Sequence, residues 1–148
     1  MQAHLRSLTA MLVTLDRGIK EQLAAQQSLV PLGTVKGVGP GLQAMLAAQL
    51  PESGHISGKE VAKLVGVAPM ARDSGKMRGK REIWGGRAPI RQVLYMAALS
   101  ALRHEPRLRE FYQGLRTRGK PAKVAIVAVM RKLLVILNAR MRDSLMPA

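Results

Sequence analysis

Apolar residues along this chain recur at steps of three and four, and no stretch alternates with period two for long enough to demand a sheet. The first segment shows it most plainly: Leu5, Leu8, Leu12, Leu15, Ile19 and Leu23 follow at steps of 3, 4, 3, 4 and 4. Such an a/d stripe fits a coiled-coil arm that pairs with a partner helix, and it fits equally an ordinary amphipathic helix on its own domain. Pro31 and Gly33 close the element. Residues 1–30 are therefore expected as a helical arm that could dimerise, and residues 31–148 as the domain behind it.

Within that domain, stop and start signals divide the chain into further helices. Pro40 sits at a first-turn position before Leu42 to Leu50, and Pro51-Glu52-Ser53-Gly54 ends the element. Ser57 and Glu60 stand at capping-box spacing ahead of a helix running to about Val65, with Gly66-Val67-Ala68-Pro69 as its stop. Arg87 to Leu102 reads as a helix with its apolar positions Ile90, Val93, Leu94, Ala97, Ala98 and Ala101 on one side. Pro106 opens a short helix carrying Leu108, Phe111, Tyr112 and Leu115. The last helix spans about Lys123 to Arg142, with Val127, Met130, Leu134, Leu137 and Met141 as its core stripe. The expected class is all-α: a small helical domain with a helix-hairpin-helix element, preceded by a long helical arm.

Charge narrows the partners. Twenty-four Lys and Arg against nine Asp and Glu give +15 on 148 residues, a field that attracts nucleic acid or anionic lipid. Apolar residues make up 47% of the chain, so it buries a core and is no disordered basic tail. Trp84, Tyr95, Phe111 and Tyr112 are its only aromatics, which disfavours base stacking and favours the phosphates of a duplex. The basic residues are dispersed over loops and several helices, which argues against a membrane-surface role. No secretory h-region is visible, and Arg131 and Lys132 interrupt the apolar run from Val124 to Leu137, which reads as a buried helix. With no cysteine, disulfides, thiolate zinc sites and thiol catalysis are excluded, which fits a reducing cytoplasm.

Two local patterns bear on chemistry. In Lys36-Gly37-Val38-Gly39-Pro40 an apolar residue lies between two glycines at a helix start. That is the pattern of a helix-hairpin-helix element, whose open backbone N–H groups and added lysine hold a phosphate without reading sequence. A plain helix-start turn would look the same. The second pattern places Ser74 in a Gly-punctuated loop among cations: from Arg72 to Arg91 there are seven basic residues and two acidic ones. Arg72, Lys76, Arg78, Lys80, Arg81 and Arg87 match phosphate oxygens. Asp73-Ser74-Gly75 is also an ordinary turn sequence, and no histidine is near in sequence to activate the hydroxyl, since His4, His55 and His104 are the only ones.

Taken in order, the motifs Val-Lys-Gly-Val-Gly-Pro, Leu-Val-Gly-Val-Ala-Pro, Ala-Arg-Asp-Ser-Gly-Lys-Met-Arg-Gly-Lys-Arg, Gly-Gly-Arg, Val-Leu-Tyr-Met-Ala-Ala, Phe-Tyr-Gln and Gly-Lys-Pro-Ala-Lys-Val-Ala resemble a known family. It is the C-terminal domain of the bridge-RNA-guided insertion-sequence transposases, the "one-hundred-and-ten" family, which joins a DEDD nuclease-like domain to a catalytic serine. The likeness runs from about Val35 to the C-terminus, and the arm resembles the family's coiled-coil region. It implies that Ser74 attacks a DNA phosphodiester to give a covalent 5′-phosphoserine link, with no nucleotide cofactor needed for religation. The same likeness implies DNA, a structured guide RNA and further copies of the chain as partners, in the bacterial cytoplasm.

The family's DEDD domain, with its carboxylate-held Mg2+, has no counterpart in these residues, and the nine acidic residues form no pattern of a metal site. The chain is accordingly expected to be a C-terminal fragment that binds nucleic acid but does not recombine it alone. Two other classes stay open from the residues themselves. One is a non-catalytic helix-hairpin-helix module with Ser74 only a turn residue. The other is an assembly piece whose arm dimerises and whose charge serves solubility.

Overall fold

Each segment with the three-to-four apolar rhythm is helical in the computed structural model, which describes residues 1–25, 30–69, 83 and 85–146. Among these residues the helices are α1 (Gln2–Ala25), α2 (Val30–Gly33), α3 (Pro40–Gln49), α4 (Gly58–Val65), α5 (Ala88–His104), α6 (Pro106–Thr117) and α7 (Ala122–Leu145), with no strand. The all-α expectation is met and most helix starts fall where the punctuation put them, but Pro31 and Gly33, expected to close the arm, lie within the short helix α2, and α5 and α7 run two to three residues beyond their expected ends. Pro40 and Pro106 stand at the starts of α3 and α6. The capping box at α4 is formed in both directions, the Ser57 hydroxyl accepting from Glu60 N–H and the Glu60 carboxylate from Ser57 N–H.

Helix α7 is the post of the fold. Val129, Leu133, Leu134 and Leu137 are fully buried on it, and α2, α4, α5 and α6 all pack against it. Helix α5 lies beside it with Ile90, Leu94, Ala98 and Ala101 buried, and its run of alanines lets neighbouring backbones come close. Helix α3 packs on α5, and α1 packs on α3. One buried polar side chain fixes a loop to the post: Asn138 Oδ1 accepts from Gly54 N–H at 2.9 Å, and its Nδ2 donates to the Ile56 carbonyl at 2.9 Å. Both polar ends of the amide are thereby satisfied at a site closed to water.

Other expectations shift in part. Of the expected α7 stripe, Met130, Leu134, Leu137 and Met141 are buried while Val127 is only partly so, and Ala125, Val129 and Leu133 complete the buried face. Helix α1, the described part of the arm, contributes no buried residue. Ile19 and Leu23 lean on α3, while Leu5, Leu8, Leu12 and Leu15 stand open to solvent. No helix among the described residues is long and apolar enough to cross a membrane.

Candidate functional site

Ser74, Arg72, Lys76, Arg78, Lys80 and Arg81 lie outside the described residues; the two ends of their segment lie inside them. On the outgoing side α4 closes at Gly66, whose N–H reaches the carbonyls of Ala62 and Lys63. The N–H groups of Val67 and Ala68 both turn back to Ala62 O, at 2.9 and 3.1 Å. On the returning side Arg87 N–H donates to Leu64 O at 3.0 Å, and Arg91 Nη1 donates to Gly85 O at 2.5 Å and Val65 O at 3.3 Å. At Gly86, φ is +68°, and a Cβ there would stand 2.5 Å from Gly66 N. Only glycine permits that approach. The described residues on either side of 70–82 thus meet at one place, the C-terminal end of α4, and Pro69 and Ile83 line the same groove.

Arg87, expected among the phosphate contacts, is engaged inside the protein. Its guanidinium grips Glu52 with Nη1 at 2.8 Å and Nη2 at 2.6 Å, and Nη1 also donates to the Gln49 carbonyl at 2.6 Å. The fork ties the end of α3 to the start of α5. Hydrogen bonding from Arg87 holds the Glu52 carboxyl down at about 2, and the same bonds raise the Arg87 pKa. Both side chains remain about one-third exposed, so solvent screens the pair and its fork geometry matters more than its charge. A phosphate at Arg87 would have to compete with Glu52.

Residues 36–39, expected to form a hairpin, divide in the same way. Val38 is buried and its N–H donates to Val35 O at 3.1 Å. Gly37, at φ +92°, lies on α5 so closely that a Cβ would fall 2.5 Å from the Ala101 backbone. Lys36 and Gly39 face solvent. Gly39 N-caps α3 without a side-chain cap, so the first-turn N–H groups of Gly41 and Leu42 have no intrahelical acceptor. They open on a shallow groove of about 470 Å3 whose far wall is Met96, Ser100 and His104 of α5. Met96 belongs to the Val-Leu-Tyr-Met-Ala-Ala motif, whereas Ser100 and His104 carried none in the sequence; α3 packing across α5 puts all three there.

The hairpin groove and the serine segment's stems sit at opposite ends of α5. Arg87 and Ser100 are 13 residues apart, about 20 Å along a helix axis. A third feature adjoins the stems: a groove of about 490 Å3 floored by Val67, Pro69, Ile83, Val124, Val127 and Ala128, with Lys123 and Arg131 in its lining. The described residues contain no group of three or more His, Asp or Glu able to ligate a metal.

The sequence is similar to those of known proteins. The family model described as "Transposase IS116/IS110/IS902 family" matches residues 31–113. The uncharacterized 42 kDa protein of insertion element IS900 from Mycobacterium paratuberculosis is 34% identical over 109 residues, 72% of this chain and 27% of that protein. The uncharacterized 43.6 kDa protein of insertion element IS110 from Streptomyces coelicolor is 27% identical over 138 residues, 86% of this chain and 33% of its own. A pilin gene-inverting protein from Moraxella bovis is 32% identical over 117 residues, 76% of this chain and 36% of its own. The chain spans between 27% and 36% of the length of these relatives.

Proposed function

The chain belongs to the IS116/IS110/IS902 family of transposases, and on that footing we propose that it is the DNA-binding, serine-bearing part of a transposase. Ser74 Oγ attacks a DNA phosphodiester, forming a P–Oγ bond as the P–O3′ bond breaks. The hydroxyl proton leaves, the departing 3′ oxygen takes one up, and a 5′-phosphoserine link is left. Attack by another 3′-hydroxyl reverses the step on a new strand, so bond energy is kept without a nucleotide cofactor. Arg72, Lys76, Arg78, Lys80 and Arg81 offset the charge that builds on the phosphorane oxygens. The hairpin, through Lys36, Gly39 and the open amides of α3, holds a neighbouring phosphate.

The observation that carries this reading is the family match over 31–113, a span that contains Ser74 and its cations. Two relatives are named for insertion elements and one for pilin gene inversion, and both names describe rearrangement of DNA. The clamped stems of the 70–82 segment support it further, since a nucleophile needs a rigid base. A nuclease-like domain of the same enzyme would bring Mg2+ and a structured guide RNA, and α1 would pair protomers, all in the bacterial cytoplasm.

The test is a covalent protein–DNA adduct on denaturing gels, mapped by mass spectrometry. A nicked element-end substrate is offered to this chain, with and without the nuclease-like domain, and to Ser74→Ala. An adduct at Ser74 that requires the other domain is expected. Salt-sensitive binding with no adduct under any condition would reduce Ser74 to a turn residue in a non-catalytic nucleic-acid module.

A further inference from the structure

From residue 111 to residue 142 the chain carries eight cations, Arg116, Arg118, Lys120, Lys123, Arg131, Lys132, Arg140 and Arg142, and no carboxylate. Four of them gather where α6 turns into α7. The backbone of that corner is held by its own hydrogen bonds: Gly119 N–H to Arg116 O at 3.0 Å, Lys120 N–H to Leu115 O at 3.1 Å, and Arg116 Nη1 to Lys120 O at 2.7 Å. Arg118 Nε is likewise turned back onto Gly114 O. The ammonium groups of Lys120 and Lys123 and the Arg131 guanidinium have no acceptor among the described residues. Lys132 is occupied differently, over the Phe111 ring at 4.3 Å from its centroid.

Position makes these three cations more than scattered surface charge. Lys123 and Arg131 lie two turns apart on one face of α7, about 12 Å along its axis, the rise of three to four base pairs of a duplex. Between them lie Val124, Val127 and Ala128, and across the groove lie Pro69 and Ile83, the stems of the serine segment. Among the described residues the lining contains no aromatic ring, and these offer phosphate contacts in place of a stacking platform. We propose that Lys120, Lys123 and Arg131 form a second backbone-contact surface for duplex DNA, seating the phosphates that flank the one presented to the serine segment. The proposal rests on the DNA-acting reading above, and adds to it where the duplex lies: along α7, and not only on the hairpin some way off at the other end of α5.

The test measures affinity for a duplex across a salt series, using the whole chain and a triple variant, Lys120→Gln, Lys123→Gln and Arg131→Gln. A matched triple variant on the arm, Arg6→Gln, Arg17→Gln and Lys20→Gln, removes the same net charge elsewhere. Each phosphate contact contributes about 0.9 to the slope of log affinity against log salt. The α7 variant should therefore lose about two to three units of slope and at least roughly tenfold in affinity at moderate salt, while the arm variant keeps the parental slope. Equal losses in both triples would mean a general charge effect and overturn the proposal while leaving DNA binding intact. A parental chain with no salt-sensitive duplex binding would sink both. A structured RNA that outcompetes duplex, with the same residues responsible, would overturn the assignment of the surface to DNA. Circular dichroism checks the fold, and the double variant Lys120→Gln and Lys123→Gln, at two exposed positions, repeats the test should Arg131→Gln disturb α7.

Discussion

At Gly37 the demands of backbone and packing coincide. A positive φ of 92° and a would-be Cβ at 2.5 Å from Ala101 leave no room for any other residue. Gly37→Ala is expected to lose about 2–4 kcal/mol, combining the left-handed penalty with overpacking, and a fall in denaturant midpoint would show it. Gly18 is the matched contrast, since a Cβ built there on α1 meets nothing within 4 Å. Gly18→Ala should be neutral or gain up to about 1 kcal/mol, because a helix interior favours alanine. An equal loss at both positions would refute the packing role given to Gly37. Lys36, beside it, carries no such constraint and keeps its charge for a ligand.

Among the elements, α1 is the one whose sequence pattern the chain does not itself satisfy. Leu5 is 59% exposed, Leu12 62% and Leu15 63%, while only the C-terminal half of the helix rests on α3. An apolar row of that length left in water favours a partner, and the heptad-like steps suit a second copy of the same helix. Leu5→Glu, Leu8→Glu and Leu12→Glu together should abolish self-association in sedimentation equilibrium. Because none of the three is buried, the thermal midpoint of the isolated domain should barely move. A chain that stays monomeric before substitution would remove the dimerisation role from the arm. The other helices behave oppositely: α4, α5 and α7 each spend their apolar face inside the molecule.

For the whole molecule, acid stability follows from which carboxylates the fold has engaged. Among the described ones, Glu52 and Glu60 have lowered pKa values, the first through Arg87 and the second through the Ser57 cap. A carboxylate depressed in the folded state stabilises above its unfolded value, and that contribution fades as pH falls. For Glu52 the window runs from about 4.5 down to about 2. The thermal midpoint should decline across it, and Glu52→Gln should flatten the decline while lowering the midpoint slightly at neutral pH. An unchanged acid limb in Glu52→Gln would show that the Glu52–Arg87 fork does not couple α3 to α5 in solution. By itself the sequence determined the helices, their caps and the cationic character, because each is encoded within a few residues: a 3.6-residue apolar rhythm, Ser57 three before Glu60, proline at the starts. It also marked Ser74, through a local motif whose described stems the fold then brings together at α4. Tertiary structure alone decided that Arg87 and Arg91 turn inward, that Gly37 lies against Ala101, and that Lys123 and Arg131 share a groove with Pro69 and Ile83. Such long-range pairings join residues 35 apart for Arg87 and Glu52, and 84 apart for the Asn138–Gly54 contact of α7. No local spacing specifies them, because the partner of a long-range contact is chosen by which helix faces meet once the core is packed.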